Sequence, residues 1–369
     1  MTVRALARVN VAAIERNVAR LAAAAAPARM CAVVKADGYG HGAVASARAA
    51  QAGGAQWVGV ATALEAAELR DAGVDGPLLV LGALSAEELD IALAARADVV
   101  AWREGFAEEL ARRGTDTGVH VKLDTGMGRL GTRDAAEASR VAAAVDAAPG
   151  LRLAGAMTHF ATADEDDRAF LEHQLAVFSE WAREVRARHP GVILHAANSA
   201  ATLADRAAHF DMVRCGVAIY GLDPFQRDAG EQGLEPALEL LSYVAEVKRC
   251  APGESAGYGR RFVAERETWL GTIPIGYGDG YRRGLTNNAE VIVDGRSVPL
   301  VGAVSMDNIT VDLGPAAEEP VARGTPAVLI GAGVPAEDLA ARLGTINYEI
   351  TCGISRRVPR EHHRDGAPL

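Results

Sequence analysis

Residues 31–43 read CAVVKADGYGHGA, which joins a strand signal, a glycine-rich turn and the start of a helical pattern. The apolar run from Cys31 to Val34 is typical of a buried strand, and it ends at Lys35. A lysine there loses hydration, which lowers the pKa of its amine and favours the nucleophilic form that bonds to an aldehyde. The alternatives are a solvated structural lysine or a dinucleotide-binding turn, although the glycine spacing is not G-x-G-x-x-G.

Outward from this stretch, short apolar runs alternate with longer amphipathic ones through the first 220 residues. Eight strands, each followed by a helix, predict an α/β fold of the (β/α)₈ TIM-type barrel class, with a doubly wound sheet as the alternative. The predicted strands are Met30–Lys35, Trp57–Ala61, Leu78–Gly82, Asp98–Trp102, Val119–Asp124, Leu153–His159, Val192–Ala197 and Asp211–Arg214. The predicted helices include Ser85–Arg96, Glu104–Arg113, Arg133–Ala147 and Asp167–Arg188.

The pattern changes near residue 234, after which strand-like runs follow one another without long helices between them. This pattern predicts a second, mostly β domain, with residues 1–230 forming the barrel and 231–369 the C-terminal domain. One helix is expected at Pro335–Leu343. The predicted strands are Leu240–Val247, Thr268–Ile275, Ala289–Val293, Val298–Val304, Ile309–Leu313 and Ala327–Ile330.

The composition excludes several classes of partner. The chain has 369 residues, 49% of them hydrophobic, and a net charge of −10, which argues against nucleic acid and anionic membranes. No apolar run is long enough to span a membrane, and no spacing of His, Cys or carboxylates suggests a metal. The four cysteines are far apart in sequence, which predicts reduced thiols and a cytoplasmic location.

Unusual residues fall repeatedly at the carboxyl ends of the predicted strands, where barrel enzymes place their chemistry. Phosphate sites in barrels often follow strands 7 and 8, which directs attention to the Ser199 hydroxyl, Gly216 and the Val217 N–H, with Tyr39 reaching from strand 1. Ser199 is alternatively a helix N-cap. The residues at strand ends are Lys35, Lys122, His159, Asn198, Ser199, Arg214, Cys215 and Gly216.

Two further ambiguities concern charged and aromatic polar groups. Arg214 is either a site residue or the partner of a nearby acid such as Asp211. His195 and His41 are candidate site histidines, for which a structural role is the favoured interpretation.

These stretches together resemble alanine racemases over most of the chain, from about residue 32 to 360 and in the family's order. The matching segments are AVVKADGYGHGA, VKLDTGMGRLG, MTHFATADE, HAANSAAT, MVRCGVAIYG, PGESAGYGR, IPIGYGDGYRR, SMDNITVDL and TINYEITCGISRRVPR. The resemblance implies a barrel plus a β domain, pyridoxal 5′-phosphate (PLP) as cofactor, alanine as substrate and a homodimer with shared active sites. It also implies a two-base mechanism that supplies D-alanine for peptidoglycan.

The resemblance implies a role for each candidate residue. Lys35 would bond to PLP and act as one base, and Tyr258 of the partner subunit would be the other. Arg129 would contact the phenolic oxygen of PLP and the substrate carboxylate, supported by Lys122, a carbamylation candidate. The remaining cofactor contacts would be Tyr39, Ser199, Gly216, Val217 and Tyr348 at the phosphate, His159 beside the ring and Arg214 at its nitrogen. The substrate end would hold Tyr277, Met306 and Asp307 of the partner chain, with Asp164, Arg283 and Ile346 along the substrate corridor.

Two positions depart from the family pattern, and three rival functions remain. Gly257 replaces the usual serine before the tyrosine, which is expected to loosen its loop, and Ala303 replaces an arginine, which removes a cation near the entrance. The alternatives are a broader amino-acid racemase, a PLP-dependent decarboxylase and a non-catalytic PLP carrier. The decarboxylase motifs are not visible, and the carrier class lacks the second domain and Tyr258.

Overall fold

Eight parallel strands form the sheet that carries most of the candidate residues. The computed structural model describes residues 3–113, 116–316 and 321–369. In chain order the barrel strands are Arg29–Val33, Trp57–Val60, Leu78–Val80, Asp98–Ala101, Thr117–Lys122, Leu151–Met157, Ile193–His195 and Met212–Cys215. The first seven strands pair in sequence order, and the first also pairs with the eighth.

Hydrogen bonds next to the seventh and eighth strands close this sheet into a barrel. The N–H groups of Asp211 and Arg214 donate to the carbonyls of Leu194 and Ala197, each at 2.9 Å. The predicted barrel is therefore confirmed, and all eight predicted strands are present with ends shifted by one to a few residues. Apolar side chains fill part of its interior, namely Cys31, Trp57, Leu79, Val100, Met157 and Met212.

Helices follow the strands, and several begin at side chains that cap them. The Thr62 and Ser85 hydroxyls accept backbone N–H groups three residues on, and Glu65 and Glu88 bond back to complete capping boxes. The helices are Val11–Ala25, Ala43–Ala52, Ala63–Asp71, Ala86–Ala94, Glu104–Arg113, Ala135–Ala147, Ala169–Arg188 and Ser199–Ala204. None in the described parts of the chain is long and apolar enough to cross a membrane.

The chain divides into two compact units that are not continuous in sequence. One holds residues 14–39 and 43–219, and the other holds 1–13, 40–42 and 220–369. The predicted ranges, 1–230 and 231–369, differ from this division because the first strand, Leu6–Asn10, lies in the sheet of the second unit. That strand pairs antiparallel with Leu238–Tyr243 and parallel with Arg360–Arg364.

The second unit is mostly β, as predicted. Its seven-stranded sheet has the order Arg296–Pro299, Glu290–Val293, Pro326–Ile330, Leu238–Tyr243, Leu6–Asn10, Arg360–Arg364 and Ala367–Pro368. A three-stranded sheet holds Glu246–Cys250, Thr268–Ile273 and Ile309–Pro315, and a two-stranded one holds Ser255–Ala256 and Phe262–Val263. The helices are Ala336–Leu343 and Asn347–Cys352.

Two expectations about this unit were wrong. The predicted strand Leu240–Val247 is two strands in different sheets, since the chain leaves the first sheet after Tyr243. The polar C-terminal sequence also predicts that His362 and His363 are solvated, but both lie in a paired strand and His363 is buried.

Candidate active site

Lys35 lies two residues beyond the first barrel strand and opens a backbone turn of the left-handed type. The φ angles of Ala36, Asp37, Gly38 and Tyr39 are 53°, 53°, 61° and 52°. Three of these residues carry a Cβ, and such a conformation costs roughly 1–2 kcal/mol for each L-residue. Consecutive strained residues persist only where the surroundings fix them, and they cluster at functional sites.

A carboxylate outside the turn fixes its first residue. The Ala36 N–H donates to Glu65 Oε1 at 2.7 Å, while Oε2 of the same carboxylate accepts two N–H groups before helix Ala63–Asp71. At the other end of the turn, the Ala43 N–H donates to Asp37 Oδ1 at 3.0 Å. The lysine turn is therefore tied to two helix N-termini.

Ser199 and Gly216 meet beyond the seventh and eighth strands. Ser199 Oγ accepts the N–H groups of Gly216 at 3.0 Å and Ala218 at 3.4 Å. Ser199 is not the N-cap of its helix, since the Asn198 side chain accepts the Ala201 N–H there.

Tyr39 reaches the same place from the first strand. A Cβ added at Gly216 would lie 2.3 Å from Tyr39 Oη, so only glycine leaves room for that hydroxyl. Val217, next in the chain, is buried. Two hydroxyls and a close backbone approach form a cradle whose chemistry fits a phosphate group.

Arg214 is buried inside the barrel and is held by four acceptors. Its Nη1 donates to His195 Nδ1 at 2.9 Å, and Nη2 donates to the carbonyls of Thr158 at 2.8 Å and Ala196 at 3.0 Å. His159 Nδ1 lies 3.2 Å from Nη2. Burial lowers the Arg214 pKa to about 10, so the side chain remains a cation at neutral pH.

The alternative partner of Arg214 is engaged elsewhere. Asp211 pairs with Arg186 and accepts the Leu194 N–H at 2.7 Å. No ion pair among the described residues includes Arg214, so its interpretation as a structural partner of an acid was wrong.

Four cations share the mouth of the barrel. Burial, with the charges of Arg214 and Arg129, lowers the Lys122 pKa to about 8, and Lys35 adds to the effect against Asp124. Burial and the same four cations hold the His159 pKa well below its usual range. The site is therefore electropositive and suited to anionic groups.

Arg129 lies on an exposed loop whose backbone wraps around one carboxylate. Asp124 Oδ1 accepts the N–H groups of Gly126 at 3.1 Å and Gly128 at 3.0 Å, and Arg133 Nε lies 3.3 Å from Oδ2. These bonds fix the loop that presents Arg129. The structure thus brings Lys35, Lys122, Arg129, His159 and Arg214 into one electrostatic group.

The other candidate residues are mostly exposed, and all of them except Asp164 belong to the second unit. Tyr258 is 75% exposed on a short turn. The Tyr277 and Gly278 N–H groups donate to the carbonyls of Ser305 and Met306 at 3.0 and 2.9 Å, which joins two predicted substrate-end segments. Three predicted residues there are exposed, namely Tyr277, Met306 and Ile346. Asp164, Arg283 and Asp307 are likewise exposed.

Tyr348 is half-buried near the start of helix Asn347–Cys352, and the residue before it anchors that helix. Asn347 Nδ2 donates to the Asp223 carbonyl and to Glu337 Oε1, each at 2.8 Å. Its N–H donates to Gln226 Oε1 at 2.7 Å.

The two departures from the family pattern lie next to each other. Gly257 has φ 72° and ψ −179°, a region essentially restricted to glycine, and a Cβ there would lie 3.2 Å from the Ala303 nitrogen. Ala303 is buried. The Tyr258 loop therefore packs against the second departure, and a serine at position 257 would be strained.

Sequence reasoning missed two polar residues. One is His120, whose Nδ1 lies 2.8 Å from His195 Nε2. The sequence feature that could have identified it is its two-residue spacing from Lys122, which places both side chains on the same face of one strand. The interpretation of His195 as a structural residue did not anticipate its bond to Arg214. Glu65 carried no signal beyond its capping box.

Comparisons with known proteins agree over nearly the whole chain. The family models "Alanine racemase, N-terminal domain" and "Alanine racemase, C-terminal domain" match residues 9–224 and 237–362. The curated alanine racemase of Thermobifida fusca is 42% identical over 366 residues, covering 96% of each chain. The solved alanine racemase of D-cycloserine-producing Streptomyces lavendulae has a TM-score of 0.92, 36% identity and 98% coverage of both chains. That of Bacillus anthracis with bound L-Ala-P has a TM-score of 0.90 and 34% identity, covering 100% of this chain and 97% of its own.

Proposed function

Because the chain belongs to the alanine racemase family, we propose that it interconverts L-alanine and D-alanine with PLP as its cofactor. The observation that carries this proposal is the grouping of Lys35, the Tyr39–Ser199–Gly216 cradle and Arg214 in the mouth of one barrel. When bound, PLP supplies an electron sink that makes the α-proton of the amino acid acidic.

The residues present fit such a cofactor. The Tyr39 and Ser199 hydroxyls and the backbone at Gly216 and Val217 would hold its phosphate, joined by Tyr348. Lys35 would bond to the aldehyde, and His159 would lie beside the ring. The cations of the mouth match the negative charge of phosphate, phenolate and substrate carboxylate.

Arg214 would face the pyridine nitrogen. A guanidinium only donates, so it leaves that nitrogen unprotonated, whereas a carboxylate would hold a proton there. Arg214 would thereby weaken the electron sink that the cofactor supplies and limit side reactions such as transamination.

Two bases on opposite faces would move the α-proton. Lys35 serves one face, and Tyr258 of the partner subunit serves the other in a homodimer. Lysine and tyrosine have similar ordinary pKa values near ~10, which suits exchange in both directions. The 75% exposure of Tyr258 in the single chain supports its use by a second copy.

Arg129 would bind the substrate carboxylate and the phenolic oxygen, and Lys122 would support it. The lowered pKa of Lys122, about 8, leaves part of the amine neutral at physiological pH. A neutral amine reacts with carbon dioxide, and a carbamate would replace one of four clustered cations with an anion.

The substrate end would be completed by Tyr277, Met306 and Asp307 of the second copy, with Asp164, Arg283 and Ile346 lining the corridor. None of the four cysteines forms a disulfide, which supports the cytoplasm as the compartment. There the product would supply peptidoglycan synthesis.

The test is incubation of the PLP-loaded protein with L-alanine in D₂O, followed by chiral chromatography with mass detection. D-alanine carrying α-deuterium is the expected product. Alanine that stays L and unlabelled would overturn the proposal. Comparable turnover of larger amino acids would indicate the broader racemase, and release of carbon dioxide with an amine would indicate a decarboxylase.

A further inference from the structure

We infer that Asp98, at the start of the fourth barrel strand, is a positioning residue for Arg214 and acts through His120 and His195. The four side chains form one hydrogen-bonded chain inside the barrel. This inference deepens the proposed function, on which its catalytic consequence rests. It concerns residues away from the cofactor cradle.

The chain has three links. Arg214 Nη1 lies 2.9 Å from His195 Nδ1, His195 Nε2 lies 2.8 Å from His120 Nδ1, and His120 Nε2 lies 3.3 Å from Asp98 Oδ2. Both histidines are fully buried, whereas the Asp98 side chain retains 14% exposure and also meets Arg152 at 3.5 Å.

The chemistry of the two ends fixes the direction of donation. Arginine only donates, so His195 Nδ1 must present a lone pair and its proton must sit on Nε2. His120 Nδ1 therefore accepts, and its own proton on Nε2 points to Asp98. An ionised carboxylate only accepts, so Asp98 imposes the same direction from the other end.

Glycines on neighbouring strands leave room for the hydrogen-bonded side chains of His120 and Asp98. A Cβ added at Gly155 would lie 2.1 Å from His120 Nδ1, and one at Gly118 would lie 2.2 Å from Asp98 Oδ2. A fully buried imidazole costs free energy unless both nitrogens are bonded, and here both are in each ring. Apolar side chains at positions 98, 120 and 195 would avoid this cost. The presence of polar side chains there therefore points to a role for them in holding Arg214.

Loss of the far acceptor should therefore reach Arg214. Without Asp98, His120 Nε2–H loses its partner, and His120 gains by moving its proton to Nδ1. That proton would confront His195 Nε2–H, and relieving this clash would turn a proton of His195 towards Arg214. The guanidinium would then lose one of its acceptors.

The first experiment reads histidine tautomers by NMR in ¹⁵N-histidine-labelled, cofactor-free protein, so it does not depend on racemase activity. Both His120 and His195 should be neutral with the proton on Nε2. A proton on Nδ1 of either ring would overturn the inference even if the protein racemises alanine. If the protein shows the expected tautomers but does not racemise alanine, the hydrogen-bonded arrangement is supported and only the proposed function is refuted.

Three variants distinguish the role of Asp98 as the acceptor for His120 from its role in the ion pair with Arg152. Asp98→Ala should mix the tautomers and lower kcat by about 10- to 100-fold with little change in KM. Asp98→Asn abolishes the ion pair but keeps an oxygen acceptor, so it should restore the tautomers and most of kcat. Arg152→Gln, the matched control, should change neither. Asparagine behaving like alanine, or Arg152→Gln mixing the tautomers, would refute the acceptor role.

Discussion

The barrel mouth and the exposed Tyr258 loop differ in how their candidate residues are held. Arg214 is 4% exposed and has four hydrogen-bond acceptors, whereas Tyr258 is 75% exposed on a turn flanked by left-handed glycines. The barrel residues are fixed within one chain. The exposure of Tyr258, Tyr277 and Met306 in the second unit is consistent with the proposed association with a second copy.

The largest effect is expected for Lys35→Ala, which removes the only residue proposed to bond covalently to the cofactor. Racemisation should be lost completely, along with the absorbance of lysine-bound cofactor. Both are measured on the purified, PLP-treated protein. Residual racemisation at the wild-type rate would show that another residue is the base.

Tyr258→Phe should keep the cofactor and lose mainly proton transfer on one face, a drop of about 10²- to 10⁴-fold in kcat. The absorbance of bound cofactor is the control, because the barrel residues are unchanged. Normal racemisation by this variant would contradict the two-base assignment.

Sharing of sites between copies is testable by mixing. Lys35→Ala and Tyr258→Ala chains are each expected to be inactive, and a mixed dimer would contain one site with both bases. Partial recovery of D-alanine formation is the expected result. No recovery in heterodimers verified by mass spectrometry would count against shared sites.

Unfolding measured over a pH series tests the electrostatics of Lys122 at the mouth of the barrel. Burial, Arg214 and Arg129 lower its pKa to about 8 in the folded chain, against about 10.4 unfolded. Between these values the unfolded chain binds more protons, so the free energy of unfolding due to Lys122 rises with pH. In carbon dioxide-free buffer, the free energy of unfolding of Lys122→Met should exceed that of the wild type by up to about 3 kcal/mol at pH 7. This difference should decrease towards pH 10.

Denaturant unfolding measures this difference, and a gap independent of pH would contradict the assignment. Bicarbonate adds a second check. It should stabilise the wild type through a carbamate and leave Lys122→Met unchanged.

The smallest expected effect concerns the tie on the lysine turn. Glu65→Ala leaves the N–H groups of Ala36, Ala61 and Thr62 without their acceptor, which should cost about 1–3 kcal/mol of unfolding free energy. Glu68→Ala, at an exposed position of the same helix, is the matched control. Equal losses in urea unfolding would show that Glu65 acts only as a generic helix residue.

Local sequence signals predict structure well where burial is continuous. All four residues of Trp57–Val60 are buried, so the strand appears as an unbroken apolar run. Leu6–Asn10 was missed because only Ala7 and Val9 are buried and its partners lie at the other end of the chain. The left-handed turn was missed because Ala36 and Tyr39 carry no preference for positive φ.

The candidate site shows the same division. The strand-end pattern selected Lys35, Ser199 and Arg214, the resemblance implied their roles, and the structure adds how they are held. His120 and Glu65 were missed because their partners, the His195 side chain and the Ala36 N–H, are distant in sequence and are brought to them only by the fold.

The position of Leu6–Asn10 has a consequence for synthesis of the protein. This strand is synthesised well before both of its partners, Leu238–Tyr243 and Arg360–Arg364, and Val9 pairs with Leu238. At about 5–20 residues per second, roughly 230 residues separate the two, so the strand waits about 10 to 50 s for its first partner. Its short length and its polar Arg8 and Asn10 limit pairing with other nascent chains in that interval.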